Sequence, residues 1–187
     1  MQRTTHLRPL IGLGVLALVL CTTVVRDATA LPTGVLARWS GDIDARNATG
    51  PQFDGTLVDG ALAAQAGLIA GAFQFDGILD GTTPLVNTPL TLPSQGTIAL
   101  WVKPGKLTEE IYGIFGTYGR DNGNDRLWLN ARGAKGGLGI DPNNLVVNVG
   151  SCCVNEIVVP SPLLPDTWTH LAVTFDYVNN TYALYIT

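Results

Sequence analysis

The chain has 187 residues, of which 46% are apolar and 14% are charged, and its formal net charge is −4. This composition excludes an intrinsically disordered chain, which combines low hydrophobicity with high net charge, and a coiled coil, which needs heptads rich in charged residues. The length fits one domain, or two at most.

The first thirty residues have the pattern of a secretory signal peptide. A short basic region precedes an almost entirely apolar run over residues 10–25, and Ala28-Thr29-Ala30 forms a cleavage site of small residues. We therefore expect residues 1–30 to be removed and the protein to be secreted, extracellular or at the cell surface, with no membrane span after cleavage. An uncleaved anchor and, because of Cys21, a lipoprotein signal are the alternatives.

The region after residue 30 is acidic. Cleavage takes away three arginines and one aspartate, which leaves 8 basic and 14 acidic residues and a formal charge of −6. Nucleic-acid binding needs a basic face that neutralises phosphates, so we expect no nucleic-acid partner. The adjacent Cys152 and Cys153 remain, and a strained vicinal disulfide, free thiols and pairing with another chain are all open.

Many short strands are predicted after residue 30, at a spacing of about ten residues with glycine, proline and asparagine between them. This pattern is typical of an all-β sandwich or barrel. Asn122-Gly123 predicts a tight hairpin. Residues 59–70 are rich in alanine but contain glycines, so a short helix and a loop running into a strand are both open. The predicted strands are residues 35–40, 55–58, 72–75, 97–102, 111–118, 126–130, 145–149, 156–159, 168–175 and 182–186.

Four segments, read in order, resemble the LamG-like jellyroll family of the concanavalin A-like lectin and glucanase group. They are VLARWS with GTLV at 35–58, GAFQFDG at 71–77, TIALWVKP at 97–104, and DTWTHLAVTFD at 166–176 followed by the strand at 182–186. The resemblance covers about residues 34–187 and implies one all-β domain over residues 31–187, a two-sheet jelly-roll β-sandwich. Family members continue with further strands, so we expect an incomplete C-terminus or completion by another chain.

No catalytic residues are expected. His170 is the only histidine after residue 30, and the resemblance places it in a structural strand. Glycosidases of this fold group carry Glu-x-Asp-x-x-Glu on a strand, and glycoside hydrolysis needs two carboxylates that flank one bond. The glutamates are Glu109, Glu110 and Glu156, and they do not form that motif. We therefore predict that the protein is not an enzyme.

Calcium is the cofactor that the sequence allows, in a structural role. Calcium takes oxygen ligands from aspartates and backbone carbonyls in loops. The resemblance implies such a site at Asp76 of the FDG motif, which Asp80 follows, and Asp42 with Asp44 forms a second loop cluster. The alternative for these residues is a turn-capping carboxylate that accepts backbone N–H hydrogen bonds.

Trp128 is the predicted centre of ligand contact. It alternates with Leu127 and Leu129, so it faces away from the core if these leucines are buried. Three residues of the preceding segment would join it in contacting the ligand, namely Tyr118, Asp121 and Asn124. The alternative has Trp128 packed on the second sheet with the leucines outside. Trp101 and Trp168 are expected to pack in the core.

These features predict a secreted, non-catalytic binding module that recognises an extracellular glycan or a cell-surface protein. The alternative is a structural or adhesive module of a larger surface protein, with no site for a small ligand. Sugar binding predicts an exposed aromatic side chain beside polar residues on one sheet face. A structural module predicts that every tryptophan is buried.

Overall fold

The computed structural model describes residue 31 and residues 33–76, 84–107, 111–117, 127–136, 142–149 and 155–187. The chain divides after Thr33, and nearly all described residues belong to the second unit, Gly34–Thr187. Among the described residues, no helix is long and apolar enough to cross a membrane. The following predictions lie outside the described residues: the signal peptide, Asp80, Tyr118, Asp121, the Asn122-Gly123 turn, Asn124, Cys152 and Cys153.

The described residues form eleven short strands and one turn of 3-10 helix, Pro51–Phe53. The strands are β1 Thr56–Val58, β2 Leu62–Ala66, β3 Gly71–Gln74, β4 Leu85–Asn87, β5 Gln95–Val102, β6 Ile111–Gly116, β7 Leu127–Arg132, β8 Asn144–Val149, β9 Asn155–Pro160, β10 Thr169–Asp176 and β11 Thr181–Ile186. This confirms the all-β prediction.

All strand pairs are antiparallel, and they make two main sheets and two ribbons. One main sheet has the order β11-β10-β5 and the other the order β6-β7-β8-β9, while β1 pairs with β4 and β2 with β3. The pairing of β10 with β5 runs from Thr169 opposite Val102 to Asp176 opposite Gln95. β5 and β10, which lie some 70 residues apart in the chain, are therefore paired along their whole length.

The core lies between the two main sheets. Alternate residues of the central strands are buried, because successive side chains of a strand point to opposite faces. Side chains from both sheets form one apolar cluster, as a two-sheet sandwich requires. Its most buried members, each at most 4% exposed, include Leu127, Leu129, Ala131, Leu145, Val147, Val149, Leu171, Val173 and Phe175.

The predicted strand at residues 35–40 is wrong, because its backbone is bonded to a loop rather than to a strand. The loop is centred on Asn47, which is only 6% exposed. Asn47 Oδ1 accepts the N–H of Arg38 at 2.8 Å, and the N–H of Ala48 donates to Arg38 O at 2.8 Å. Thr49 Oγ1 donates to Leu36 O at 2.9 Å. The segment therefore stays irregular.

The open question at residues 59–70 is resolved in favour of a strand. β2 pairs with β3, and its side chains alternate between exposed and half-buried, which is the period of a strand. A bulge interrupts the pairing at Ala64, which has φ 58° and donates its N–H to Gly41 O at 2.8 Å. Pairing thus overrides the helix propensity of alanine. The three-residue strand β4 is not predicted by the sequence.

Candidate functional site

The four-stranded sheet has a second face, turned away from the core, that carries polar side chains. Trp128, Asn130 and Arg132 point to it, because they alternate with the core residues of β7. In the neighbouring strands, Asn148 of β8 and Glu156 of β9 lie on the same face. We call these five side chains the polar face.

Trp128, Asn148 and Glu156 occupy one row across three strands. Trp128 is paired with Asn148, and Asn148 is paired with Glu156. Since adjacent strands are about 4.8 Å apart, the backbones of Trp128 and Glu156 are roughly 10 Å apart. Asn148 Nδ2 donates to Glu156 Oε1, and Asn130 Nδ2 donates to Asn148 Oδ1 at 3.3 Å. A chain of side-chain hydrogen bonds therefore crosses the sheet.

Asn130 has a buried side-chain oxygen without a hydrogen-bond donor among the described residues. Its side chain is fully buried at 0% exposure, and its Oδ1 atom accepts no hydrogen bond from the part of the chain that the structure describes. A buried acceptor without a donor costs about 1–3 kcal/mol, and such atoms are rare in native structures. A hydroxyl or amide group that donates to this oxygen would recover that free energy.

The indole of Trp128 lies over two glycines of β6. A Cβ atom added at Gly116 would be 3.4 Å from the indole Cδ1, and one added at Gly113 would be 3.7 Å from Nε1. Arg132 Cζ is 5.9 Å from the centroid of the Trp128 ring, within the range of a cation–π contact. The ring is half-buried, so part of its surface is accessible.

The structure settles the orientation of Trp128. Leu127 and Leu129 are at most 1% exposed in the core, so the alternative with the leucines outside is wrong. The predicted partners Tyr118, Asp121 and Asn124 lie outside the described residues, and their contact with a ligand stays a prediction. The structure places the other polar-face residues beside Trp128 instead. The alternation along β7 is enough to predict that Asn130 lies on the same face as Trp128. The positions of Asn148 and Glu156 on this face depend on the pairing register of β7, β8 and β9, which the sequence does not reveal.

The two aspartates of the first loop have different partners. Asp42 Oδ1 accepts the N–H of Gly71 at 2.7 Å, which ties the loop to the start of β3. Asp44 Oδ1 accepts the N–H of Arg46 at 2.9 Å, and its Oδ2 is 3.1 Å from Arg46 Nε. Asp44 thus has the geometry of the turn-capping alternative, and its carboxylate is paired with a cation. A calcium ion held by Asp42 and Asp44 stays a prediction.

Asp76 is exposed and lies two residues after the end of β3. Within the described ranges, no three acidic, histidine or cysteine side chains are grouped closely enough to hold a metal ion. Asp80, the predicted partner of Asp76, lies outside these ranges. A calcium ion held by Asp76 and Asp80 therefore stays a prediction.

Two further aromatic residues lie on the other main sheet. Trp101 is 46% exposed, so the expectation that it packs in the core is wrong. Its ring lies against that of His170, with centroids 5.1 Å apart, and His170 Nδ1 is 3.4 Å from Thr187 Oγ1. These contacts agree with a structural role for His170. Trp168 is half-buried, with Lys103 Nζ 5.7 Å from its ring centroid.

Comparison with protein families agrees with this architecture. A Laminin G-type family model of the concanavalin A-like lectin/glucanases superfamily matches residues 76–186, which is more than half of the chain. The chain belongs to the concanavalin A-like lectin/glucanase superfamily. The matched region contains β4–β11, and therefore both main sheets and the whole polar face. No curated protein and no solved structure matches the chain.

Membership of this superfamily confirms the predicted fold, an all-β sandwich of the concanavalin A-like type. Laminin G-like domains are generally non-catalytic binding modules that act outside cells. The general prediction of a binding module therefore agrees with the family. A fold alone does not identify a ligand, so the ligand has to be inferred from the site.

Proposed function

We propose that the protein is a secreted, non-catalytic module that binds carbohydrate through the polar face. The observation that carries this proposal is the buried Oδ1 atom of Asn130, which has no donor among the described residues and lies one row from the indole of Trp128. A sugar ring satisfies both groups, because its hydroxyls donate hydrogen bonds and its C–H surface stacks on an aromatic ring.

The exposed side chains on the side of the polar face lie at the β9 edge of the sheet. Asn130 and Asn148 are buried, whereas Glu156 is exposed and Val158, in the next row of β9, is 44% exposed. A sugar entering over β9 would meet the carboxylate of Glu156 first. Hydrogen bonds to an ionised carboxylate are stronger than neutral ones, so Glu156 would hold a hydroxyl at this rim.

The chemistry of the polar face supports binding rather than hydrolysis. Of its five side chains, only Glu156 has a carboxyl group, and glycoside hydrolysis uses a pair of them. A purely structural module predicts buried tryptophans, whereas Trp101 is 46% exposed and Trp128 is half-buried. These observations favour a binding module over a structural one.

The proposal is tested by calorimetry of the purified protein against a panel of neutral and acidic tetrasaccharides. We expect at least one to bind, and Trp128→Ala to weaken it about tenfold or more, because truncating a central aromatic contact costs about 2 kcal/mol. Gly116→Val should weaken binding as well, since the added methyl groups displace an intact indole.

The matched control is Trp39→Ala, which removes a half-buried tryptophan outside the two main sheets and should leave the affinity for the tetrasaccharide unchanged. Unfolding temperatures of all variants show whether the fold is retained. Binding that is insensitive to Trp128→Ala, or no binding by any tetrasaccharide, would overturn carbohydrate recognition at this face and favour a protein ligand.

A further inference from the structure

The three-stranded sheet β11-β10-β5 also has a face turned away from the core, and this face is exposed. Its side chains form four rows, because β10 is paired with β5 on one side and with β11 on the other. We call it the aromatic face. Its rows are Trp101, His170 and Thr187; Ala99, Ala172 and Tyr185; Thr97, Thr174 and Ala183; and Gln95, Asp176 and Thr181.

Three aromatic side chains lie at one end of this face. Trp101 is 46% exposed and Tyr185 is 53% exposed, while His170 is half-buried against Trp101. Exposed aromatic groups that share one surface mark an interaction site more often than exposed residues scattered singly. The alternation in β5 explains why Trp101 is exposed, since Leu100 and Val102 point into the core.

The row beside Trp101 and His170 has small side chains. This second row contains Ala99 and Ala172, so only methyl groups stand beside Tyr185 there, while the imidazole of His170 lies on β10 between Trp101 and Tyr185. These two residues are two strands and one row apart, which places their Cα atoms roughly 12 Å from one another. Beyond the alanines, an open depression of about 220 Å³ is lined in part by Thr174, Thr181 and Ala183.

The aromatic face has almost no charge. Asp176 is the one carboxylate among the residues of its four rows, and it lies in the row farthest from Trp101. Threonine hydroxyls, one glutamine and one imidazole supply the polar groups. The face thus offers aromatic rings, hydroxyl groups and little charge, which suits a neutral ligand rich in hydroxyl groups.

We propose that the aromatic face is a second binding surface, which adheres to the surface of a neutral polysaccharide. The rings of Trp101 and Tyr185 stack on the C–H faces of sugar units, and the imidazole of His170 and the threonine hydroxyls bond to sugar hydroxyls. This surface shares no residue with the polar face, so it is independent of the proposed function.

The test is retention of the purified protein by insoluble cellulose, chitin and mannan. We expect at least one of the three to retain the wild type, with a fraction bound that does not change between 0.05 and about 0.5 M salt, because screening affects only charged contacts. The double variant Trp101→Ala/Tyr185→Ala should lower the partition coefficient about tenfold or more. Both side chains are exposed, so the fold should be retained, as a thermal melt will show.

A matched control separates this surface from other exposed apolar groups. Val178→Ala removes an apolar side chain that is 76% exposed at the β10–β11 turn, outside the four rows of the aromatic face. This variant should bind polysaccharide like the wild type. The proposal is overturned by a wild type that none of the three polysaccharides retains, or by a double variant that is retained equally well. A wild-type dimer that the double variant converts to a monomer would also overturn it, since the face would then join two copies of the chain.

Discussion

Asn130 and Asn148 lie on neighbouring strands and are joined by a 3.3 Å hydrogen bond on the side of the sheet that points away from the core. Both are at most 2% exposed. One residue earlier in each strand, Leu129 and Val147 are paired with each other and belong to the apolar core. β7 and β8 therefore have buried side chains on both faces: one face belongs to the apolar core, and the other carries the two asparagines together with Val146.

The apolar side of these strands should dominate the stability of the fold. Leu129 is 1% exposed within the core cluster. We expect Leu129→Ala to lower the free energy of unfolding by about 2–5 kcal/mol, measured by urea denaturation, because it leaves a cavity between the sheets. Leu164 is 61% exposed, and Leu164→Ala should change stability by about 0.5 kcal/mol or less. Similar losses for the two variants would contradict this location of the core.

The loop around Asn47 should be a second determinant of stability. Asn47 Nδ2 donates to Thr49 Oγ1 and to Gly50 O, each at 2.7 Å, and Oδ1 accepts the N–H of Arg38. Asn47→Ala should lower the free energy of unfolding by about 1–3 kcal/mol, since several buried groups lose their partner. Asn47→Asp keeps the acceptor oxygen but puts a carboxylate oxygen opposite Gly50 O, so it should cost at least as much at neutral pH. A smaller loss for Asn47→Asp would show that the hydrogen bonds donated by Nδ2 are not important.

The contact between β3 and the first loop should be sensitive to a single methyl group. A Cβ atom at Gly71 would lie 2.4 Å from Asp42 Cα, which is a backbone atom and cannot rotate away. We expect Gly71→Ala to lower the free energy of unfolding by about 1–3 kcal/mol through overpacking. Gly105→Ala is the control, because nothing lies within 4 Å of its Cβ position. A neutral Gly71→Ala variant would show that the loop moves freely.

The hairpin between β10 and β11 should weaken at acidic pH. Asp176 Oδ1 accepts the N–H groups of Val178 and Asn179, both at 2.9 Å, and Oδ2 accepts Asn179 Nδ2 at 2.7 Å. The hydrogen bonds from Asn179 hold the pKa of Asp176 below its ordinary value of 3.8. Because the folded-state pKa is depressed, this contribution is present above the unfolded-state pKa and is lost as the pH falls through the folded-state value.

We therefore expect Asp176→Ala to lower the melting temperature at pH 7, and this difference from the wild type to shrink below about pH 4. Thermal melts of both proteins between pH 7 and pH 2 measure it. A difference that stays constant over this range would show that the negative charge of Asp176 does not stabilise the turn.

Strands with a strong alternation of apolar and polar residues could be predicted from the sequence. β5, β7 and β10 show it, and each is found within two residues of its predicted bounds. The error at residues 35–40 arises because the side chain of Asn47 replaces a neighbouring strand as hydrogen-bond partner. The strand β4 has only three residues and depends on pairing with β1, which leaves no local pattern.

The candidate site was predictable only in part. Alternation with two leucines places Trp128 and Asn130 on one face, and the structure agrees. Asn148 and Glu156 reach that face through the register of three antiparallel strands, which joins residues far apart in the sequence. Trp101 was misplaced because a tryptophan in a family core strand was assumed to point inward, whereas its neighbours Leu100 and Val102 take that position.

The most direct test of carbohydrate recognition is a nuclear magnetic resonance titration with the tetrasaccharide that binds tightest in the calorimetric panel. The indole Nε1–H signals of Trp128 and Trp39 are assigned with Trp128→Phe and Trp39→Phe, and the side-chain amide of Asn130 is followed in the same spectra. We predict that the Trp128 and Asn130 signals shift in proportion to saturation while the Trp39 signal, whose N–H donates to Phe53 O, does not move. Saturation without a shift at Trp128 or Asn130 would contradict binding at the polar face.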